Sequence, residues 1–195
     1  MTSAAKGEWD TSAQTRLDEL EQLHVDARGT ARGRRWGTEQ LNRSLFLVLV
    51  AQFQTYCRDL HDEAVGIHTA HANLGQAAVL QQLLTQGRRL DTANPRTDAL
   101  ENDFGRLGFK LLPALRSEGG QVADWLSRLD VLIELRNLVS HGHETALQTF
   151  IASNDIKPTL TSYRKYRRTL NYLVSTMDGV VAAQLASGLD VPRPW

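Results

Sequence analysis

The chain has 195 residues, and its 22 lysines and arginines balance 22 acidic residues, so the formal charge at neutral pH is zero. The length fits one domain, or one domain with tails, and is enough to bury a sizeable core. Balanced charge exerts no global pull on nucleic acid or membrane, so a polyanion site has to be a local patch. The one cysteine, Cys57, excludes an intramolecular disulfide and a cysteine-rich zinc site, and reads as a small core residue. The first ten residues lack the basic start and apolar core of a signal peptide, and the most apolar run, 45–51, is too short to span a bilayer. The expectation is a soluble cytoplasmic protein that makes no use of a membrane.

Residues 1–10 are small and polar and are expected to form a flexible tail. Asp10, Thr11 and Ser12 can cap a helix reaching about residue 27, with Leu17, Leu20 and His24 on one face. The next stretch, ARGTARGRRWG, is a basic loop with Arg28, Arg32, Arg34 and Arg35 beside Trp36. It is either a solvated connector or a phosphate-binding arm, in which Arg34 and Arg35 hold a strand's backbone while the aromatic stacks on a base. Thr38 caps a long predicted helix running to about residue 68, with Glu39 and Gln40 in its first turn. Leu41, Leu45, Val48, Leu49, Gln52 and Tyr56 trace its inner face. His61, His68 and His71 recur at i, i+7 and i+10 near Asp62 and Glu63. They lack the i, i+4 pair typical of helical zinc sites, so no metal is assigned, and a hydrogen-bonded or solvated histidine face is preferred.

A shorter helix over 74–90, with Ala77, Leu80 and Leu84 inward, is broken at Asp91–Pro95, and an amphipathic helix over 97–107 follows through Leu100, Phe104 and Leu107. Pro113 and the Ser117-Glu-Gly-Gly120 turn end that region. Residues 144–157 are ambiguous between helix and loop. The last predicted helix covers 160–186, with Leu170, Leu173, Met177, Val180 and Val181 inward. Arg164, Lys165, Arg167 and Arg168 cluster near its start, where positive charge opposes the helix dipole. They are a candidate substrate-phosphate patch, the alternative being an exposed basic face. Residues 187–195 read as an extended C-terminal tail. No stretch alternates as a strand would and no internal repeat occurs, so the fold class is all-α: a helical bundle over 11–186 between two tails.

The chain is organised around 121–143, QVADWLSRLDVLIELRNLVSHGH. Val122, Trp125, Leu129, Leu132 and Ile133 recur at helical spacing, and Leu135, Leu138 and Val139 widen the apolar surface, so the helix should be buried among others. Arg136 projects near the middle of that face, while Asp130, Glu134, Asn137 and His141 form a separate polar line. Ionised groups on a buried helix are costly unless paired. An Arg136 salt bridge to Glu134, Asp130 or a neighbouring helix is one explanation. A functional site is the other.

The residues Glu134-Leu-Arg136-Asn137-Leu-Val-Ser-His141-Gly142 resemble the signature of the HEPN superfamily: an arginine, a polar residue, a short spacer and a histidine near a helix end. Arg-Asn followed by Ser-His-Gly is most similar to the RiboL-PSP and related stand-alone HEPN groups. The early helix LNRSLFLVLVAQFQTYCRDLHDEAV is also similar to the family's first long helix, and the architectural resemblance covers most of residues 38–186. The resemblance implies a homodimer whose two motifs face each other across a cleft and cleave RNA without metal or cofactor. It also implies work as a toxin or in phage defence, in some relatives beside an antitoxin protein. Other relatives have lost catalysis and serve as interaction modules, and that is the alternative here.

The chemistry of the residue types agrees. Cleaving RNA without metal needs a base for the 2′-hydroxyl, an acid for the leaving oxygen and positive charge on the crowded phosphate. Histidine supplies either proton role near neutrality, and arginine supplies a permanent bidentate clamp. Asn137, one turn before His141, can orient the imidazole or the substrate. On an ideal helix Arg136 and His141 lie about 140° apart. They converge only if the helix loosens before Gly142 or if two subunits combine. His143 joins the Arg136 face if the helix continues through Gly142.

Overall fold

A computed structural model of the chain describes residues 1–28, 36–70, 72–154 and 156–195. All regular structure among these residues is helical: α1 (Ala4–Glu8), a π-helical turn (Trp9–Ala13), α2 (Gln14–Arg28), α3 (Trp36–Ala70), α4 (Leu74–Thr85), α5 (Arg89–Thr92), α6 (Thr97–Gly105), α7 (Leu111–Ser117), α8 (Gln121–Ser140), α9 (Glu144–Asn154) and α10 (Leu160–Leu189). The fold is an all-α bundle. No helix among the described residues is long and apolar enough to cross a membrane.

The core forms where α3, α8 and α10 pack on one another. Leu45, Leu49, Phe53, Tyr56 and Leu60 of α3 are buried against Leu129, Leu132 and Ile133 of α8 and Leu170, Leu173, Met177 and Val181 of α10. Each set follows the helical repeat, so burying it removes one continuous apolar stripe from water. Cys57 is fully buried here, and burial pushes its thiol well above the ordinary range, which leaves it unreactive.

The expected flexible tail over 1–10 is helical from Ala4, and the expected extended tail over 187–195 begins only after Leu189. The first helix begins at Ala4, with Ser3 as its cap accepting from the Lys6 amide at 2.9 Å, and Asp10 lies inside the π turn. Glu63 of α3 accepts from the amides of Ala4 and Ala5 at 3.1 and 3.2 Å, satisfying the first turn from outside. Trp9 is buried, edge-on to Phe53 and Tyr56, with Nε1 donating to Asn171. At the other end α10 continues to Leu189 and the chain folds back until Trp195 is buried. Asp178 joins the two termini: its carboxylate accepts from the backbone and hydroxyl of Ser3, and its backbone oxygen accepts from Trp195 Nε1 at 3.1 Å. An aromatic side chain thus stands buried in each terminal segment beside these hydrogen bonds.

Smaller differences have local causes. α3 starts at Trp36, so Thr38 lies within its first turn and is not a cap. The 74–90 helix divides at Gly87, whose φ of 68° belongs to the left-handed region, giving α4 and the short α5. Pro113 falls in the first turn of α7, where its missing N–H removes no helical bond. The ambiguous stretch after His143 is helical as far as Asn154.

Candidate functional site

α8 stays α-helical through Ser140, so the helix does not loosen to swing Arg136 towards His141. His141 is the C-cap, and its N–H still bonds to the Asn137 carbonyl at 3.1 Å. Gly142 then takes a φ of 66°, the Gly142 amide donates to the Val139 oxygen, and the His143 amide donates to the Leu138 oxygen. That pair of reversed bonds is the Schellman ending that a glycine in this conformation permits. The chain turns sharply, so His143 leaves the path of α8, and its carbonyl accepts the Leu147 amide in the first turn of α9. The reversal brings the two imidazoles together, with ring centroids 6.0 Å apart, and both residues are exposed.

Arg136 lies only half buried, because it falls near the end of the helix, beyond the fully packed part of the apolar face. Among the described residues it has no carboxylate partner. Its Nη1 donates to Asn137 Oδ1 over 3.4 Å, and the same oxygen accepts from Asn94 Nδ2 over 2.6 Å. The expected salt-bridge partners are used elsewhere. Asp130 takes the Thr97 amide and hydroxyl at 3.1 and 2.8 Å, capping α6, and Glu134 pairs with Arg96 at 3.4 Å. The polar line of α8 is therefore a ladder of three rungs holding the α5–α6 connection: Asp130 to Thr97, Glu134 to Arg96 and Asn137 to Asn94. His141, the fourth position of that line, carries no rung. Asn137 points its side chain at Arg136 and Asn94, and not at the imidazole of His141.

A second support fixes the turn. Arg43 of α3 makes a two-pronged pair with Glu144, with nitrogen–oxygen distances of 2.8 and 2.9 Å, and also reaches Glu39 at 2.8 Å. The Arg43 guanidinium, then Gln148, holds the Glu144 carboxyl below the usual range. This ties the residue after His143 to the start of α3. Arg43, Glu144 and Asn94 each act across more than forty residues, so no local sequence pattern marks their partners. The only local hint was the Asn94-Pro95 break, which marks a chain segment needing an anchor.

The basic cluster at the start of α10 is divided. Arg164 and Arg167 turn to α2, where Arg164 Nε meets Glu21 at 2.6 Å and Arg167 meets Asp18 at 2.7 Å and Gln14 at 2.7 Å. Two of the four candidate phosphate contacts are thus engaged in joining α2 to α10. Lys165 and Arg168 are exposed and unpaired among the described residues. Arg32, Arg34 and Arg35 lie outside the described residues, as do the side chains of Arg28 and Trp36.

His61 is part of the interior and not of a surface face. It is fully buried, with Nε2 3.0 Å from the Asp103 carbonyl and Nδ1 3.2 Å from Arg88 Nη1. Arginine has only donors, so Nδ1 accepts and the proton sits on Nε2. Arg88 is held further by Asp62 and Asp91. His68 is 5.8 Å from the ring of Phe109, and His71 is outside the described residues. Among the described residues no group of three or more metal-binding side chains converges.

The chain matches no family model, no curated protein and no solved structure.

Proposed function

We propose that the chain is a metal-independent endoribonuclease of HEPN type, acting as a homodimer whose Arg136–His141 segments face one another. What carries the reading is Arg136. The other half-buried or buried arginines named above, Arg43, Arg88 and Arg167, each meet a carboxylate. Among the described residues Arg136 meets only a neutral amide, so its charge is available for a phosphate. A bound phosphodiester would take its bidentate fork, while one imidazole accepts the 2′-hydroxyl proton and the other protonates the leaving 5′-oxygen. His141 and His143 supply such a pair from one turn. Because α8 remains helical, Arg136 and His141 of one copy point about 140° apart, so a complete site draws on a second copy. Asn137 serves as the positioning residue for Arg136. Toxin or phage-defence work and an antitoxin partner belong to the same proposal through the motif's resemblance, and a cytoplasmic setting through the lack of a signal-like start in the first ten residues.

The test is cleavage of mixed RNA in EDTA, with end-group analysis. Products ending in a 2′,3′-cyclic phosphate, or a 3′-phosphate after its hydrolysis, support the mechanism. Cleavage that EDTA abolishes and magnesium or manganese restores would sink it. The alternative, a non-catalytic interaction module, is favoured by α4, which carries no charged residue and leaves Val79 and Leu83 exposed one turn apart. No RNA cleavage by a chain that is dimeric in light scattering would establish that alternative.

A further inference from the structure

We infer that the seam between α8 and α10 is a track for a single strand of nucleic acid, with the Trp125–Tyr172 stack as its base platform. The inference rests on the ribonuclease reading for its choice of RNA as the strand, but it concerns a surface outside the Arg136–His141 motif. Three features follow one another along this antiparallel seam. At one end Arg128 and Val131 of α8 and Lys165 and Tyr166 of α10 line a depression of about 310 Å³. In the middle Trp125 of α8 stacks on Tyr172 of α10, with centroids 5.1 Å apart and planes 14° from parallel. At the far end Gly120, Thr176 and Gly179 line a depression of about 600 Å³, over which Arg193 of the C-terminal segment reaches to the Gly179 carbonyl at 3.0 Å. From Lys165 to Gly179 the seam spans about 21 Å at 1.5 Å per residue.

Charge and exposure select the occupant. Tyr172 is 50% exposed although Trp125 stacks on one face of its ring, so half of the side chain remains accessible to a ligand. The ring is held by Trp125, so a base that stacks on it need not order a mobile side chain. Base–aromatic stacking tolerates any sequence, because every base has a π-face. Among the described residues no carboxylate pairs with Arg128, Lys165 or Arg193, whereas Arg164 and Arg167 are taken by α2, and Arg168 lies with them beside the α2 acids Asp18 and Glu21. Among the described residues Glu118 stands on the rim of the far depression and exposed Asp124 one helical turn before Arg128, while no acid lines the Arg128/Lys165 depression, so the phosphate grip belongs there. A double helix hides its base faces and could use only the charges. A single strand can use the charges and the stack together.

The experiment is fluorescence anisotropy with the full-length chain and a labelled mixed-sequence 2′-O-methyl RNA of about twelve nucleotides, which cannot be cut by 2′-hydroxyl attack. Tyr172→Ala should weaken binding about tenfold, and Tyr172→Phe should restore it, because stacking needs the ring and not the hydroxyl. Arg128→Glu with Lys165→Glu should weaken binding further and flatten its salt dependence by about the two phosphate contacts removed. Urea midpoints would verify that each variant is folded. Folded variants that bind like the wild type, a duplex bound as tightly as the single strand, or no binding by the wild type would each overturn the track. The two readings separate cleanly. RNA cut equally by wild type and Tyr172→Ala, with equal binding, removes the track and leaves the ribonuclease. A seam-dependent complex with no cleavage of natural RNA removes the ribonuclease and leaves the track.

Discussion

Asn94 donates its side-chain amide to Asn137 Oδ1 over 2.6 Å, and this bond couples the α5–α6 connection to the residue that holds Arg136. Since Arg136 can only donate, the Asn137 atom facing it is the oxygen, and Asn94 must present its NH2 group. Asn94→Ala should therefore loosen Arg136 and lower single-turnover cleavage by about tenfold, the scale of one hydrogen bond. Asn94→Asp should lower it further, because the carboxylate would draw Arg136 away from the phosphate. Equal rates for both variants and the wild type would separate Asn94 from the site.

Arg136→Ala should fold almost normally. Were Arg136 paired with a carboxylate in the interior, its loss would strand that charge at about 3–5 kcal/mol. No carboxylate leans on Arg136 among the described residues, so the loss should be about 1 kcal/mol or less. Urea denaturation measures it, and the same variant should lose RNA cleavage. Arg136→Lys keeps the charge without the fork and should also cleave poorly.

His141→Ala should lower cleavage about a hundredfold or more while the dimer stays intact, the usual scale for a general acid or base. His143→Ala should do likewise if the two rings divide the proton transfers. A folded dimer with His141→Ala that cuts RNA at the wild-type rate would make the motif structural.

The interior histidine sets a pH dependence of stability. Burial, and then the charge of Arg88, lowers the His61 pKa from its ordinary 6.5, against the opposing hydrogen bond to Asp103. The unfolded chain thus takes up a proton near pH 6.5 that the folded chain refuses. Stability contributed by neutral His61 is present above that pH, is lost as pH falls below it, and stops falling once the folded pKa is reached. Urea midpoints compared at pH 7.5 and below pH 6 should fall less in His61→Gln than in the wild type.

The N-terminal segment should be needed for stability. Trp9→Ala removes a buried ring, its two edge contacts and a hydrogen bond, and should cost about 3–5 kcal/mol in urea denaturation. Asp178→Ala releases Ser3 and should cost about 1–3 kcal/mol.

The sequence by itself determined the elements whose apolar residues repeat at helical spacing. The inner faces of α3 and α10, the long α8 and its ending at a glycine were all legible there, because periodicity and capping are local properties. The partners of the polar residues were not. Arg136 and Asp130 share a helix with carboxylates and cations at plausible spacing, yet Asp130 serves Thr97, as the docking of α6 decides, and Arg136 donates to its own neighbour Asn137. Arg164 and Arg167 read as an open basic patch until α2 packed its acids against them. The N-terminal segment reads as loose because a segment's own composition does not reveal a distant pocket, such as the one Phe53 and Tyr56 make for Trp9. His141 and His143 approach because one glycine adopts a left-handed conformation, which the sequence permitted, whereas the pairing of the following Glu144 with Arg43 of another helix was not visible there. Backbone hydrogen bonds and apolar stripes act between near neighbours, so a sequence records them. A charge selects its partner only after packing has brought the candidates within reach.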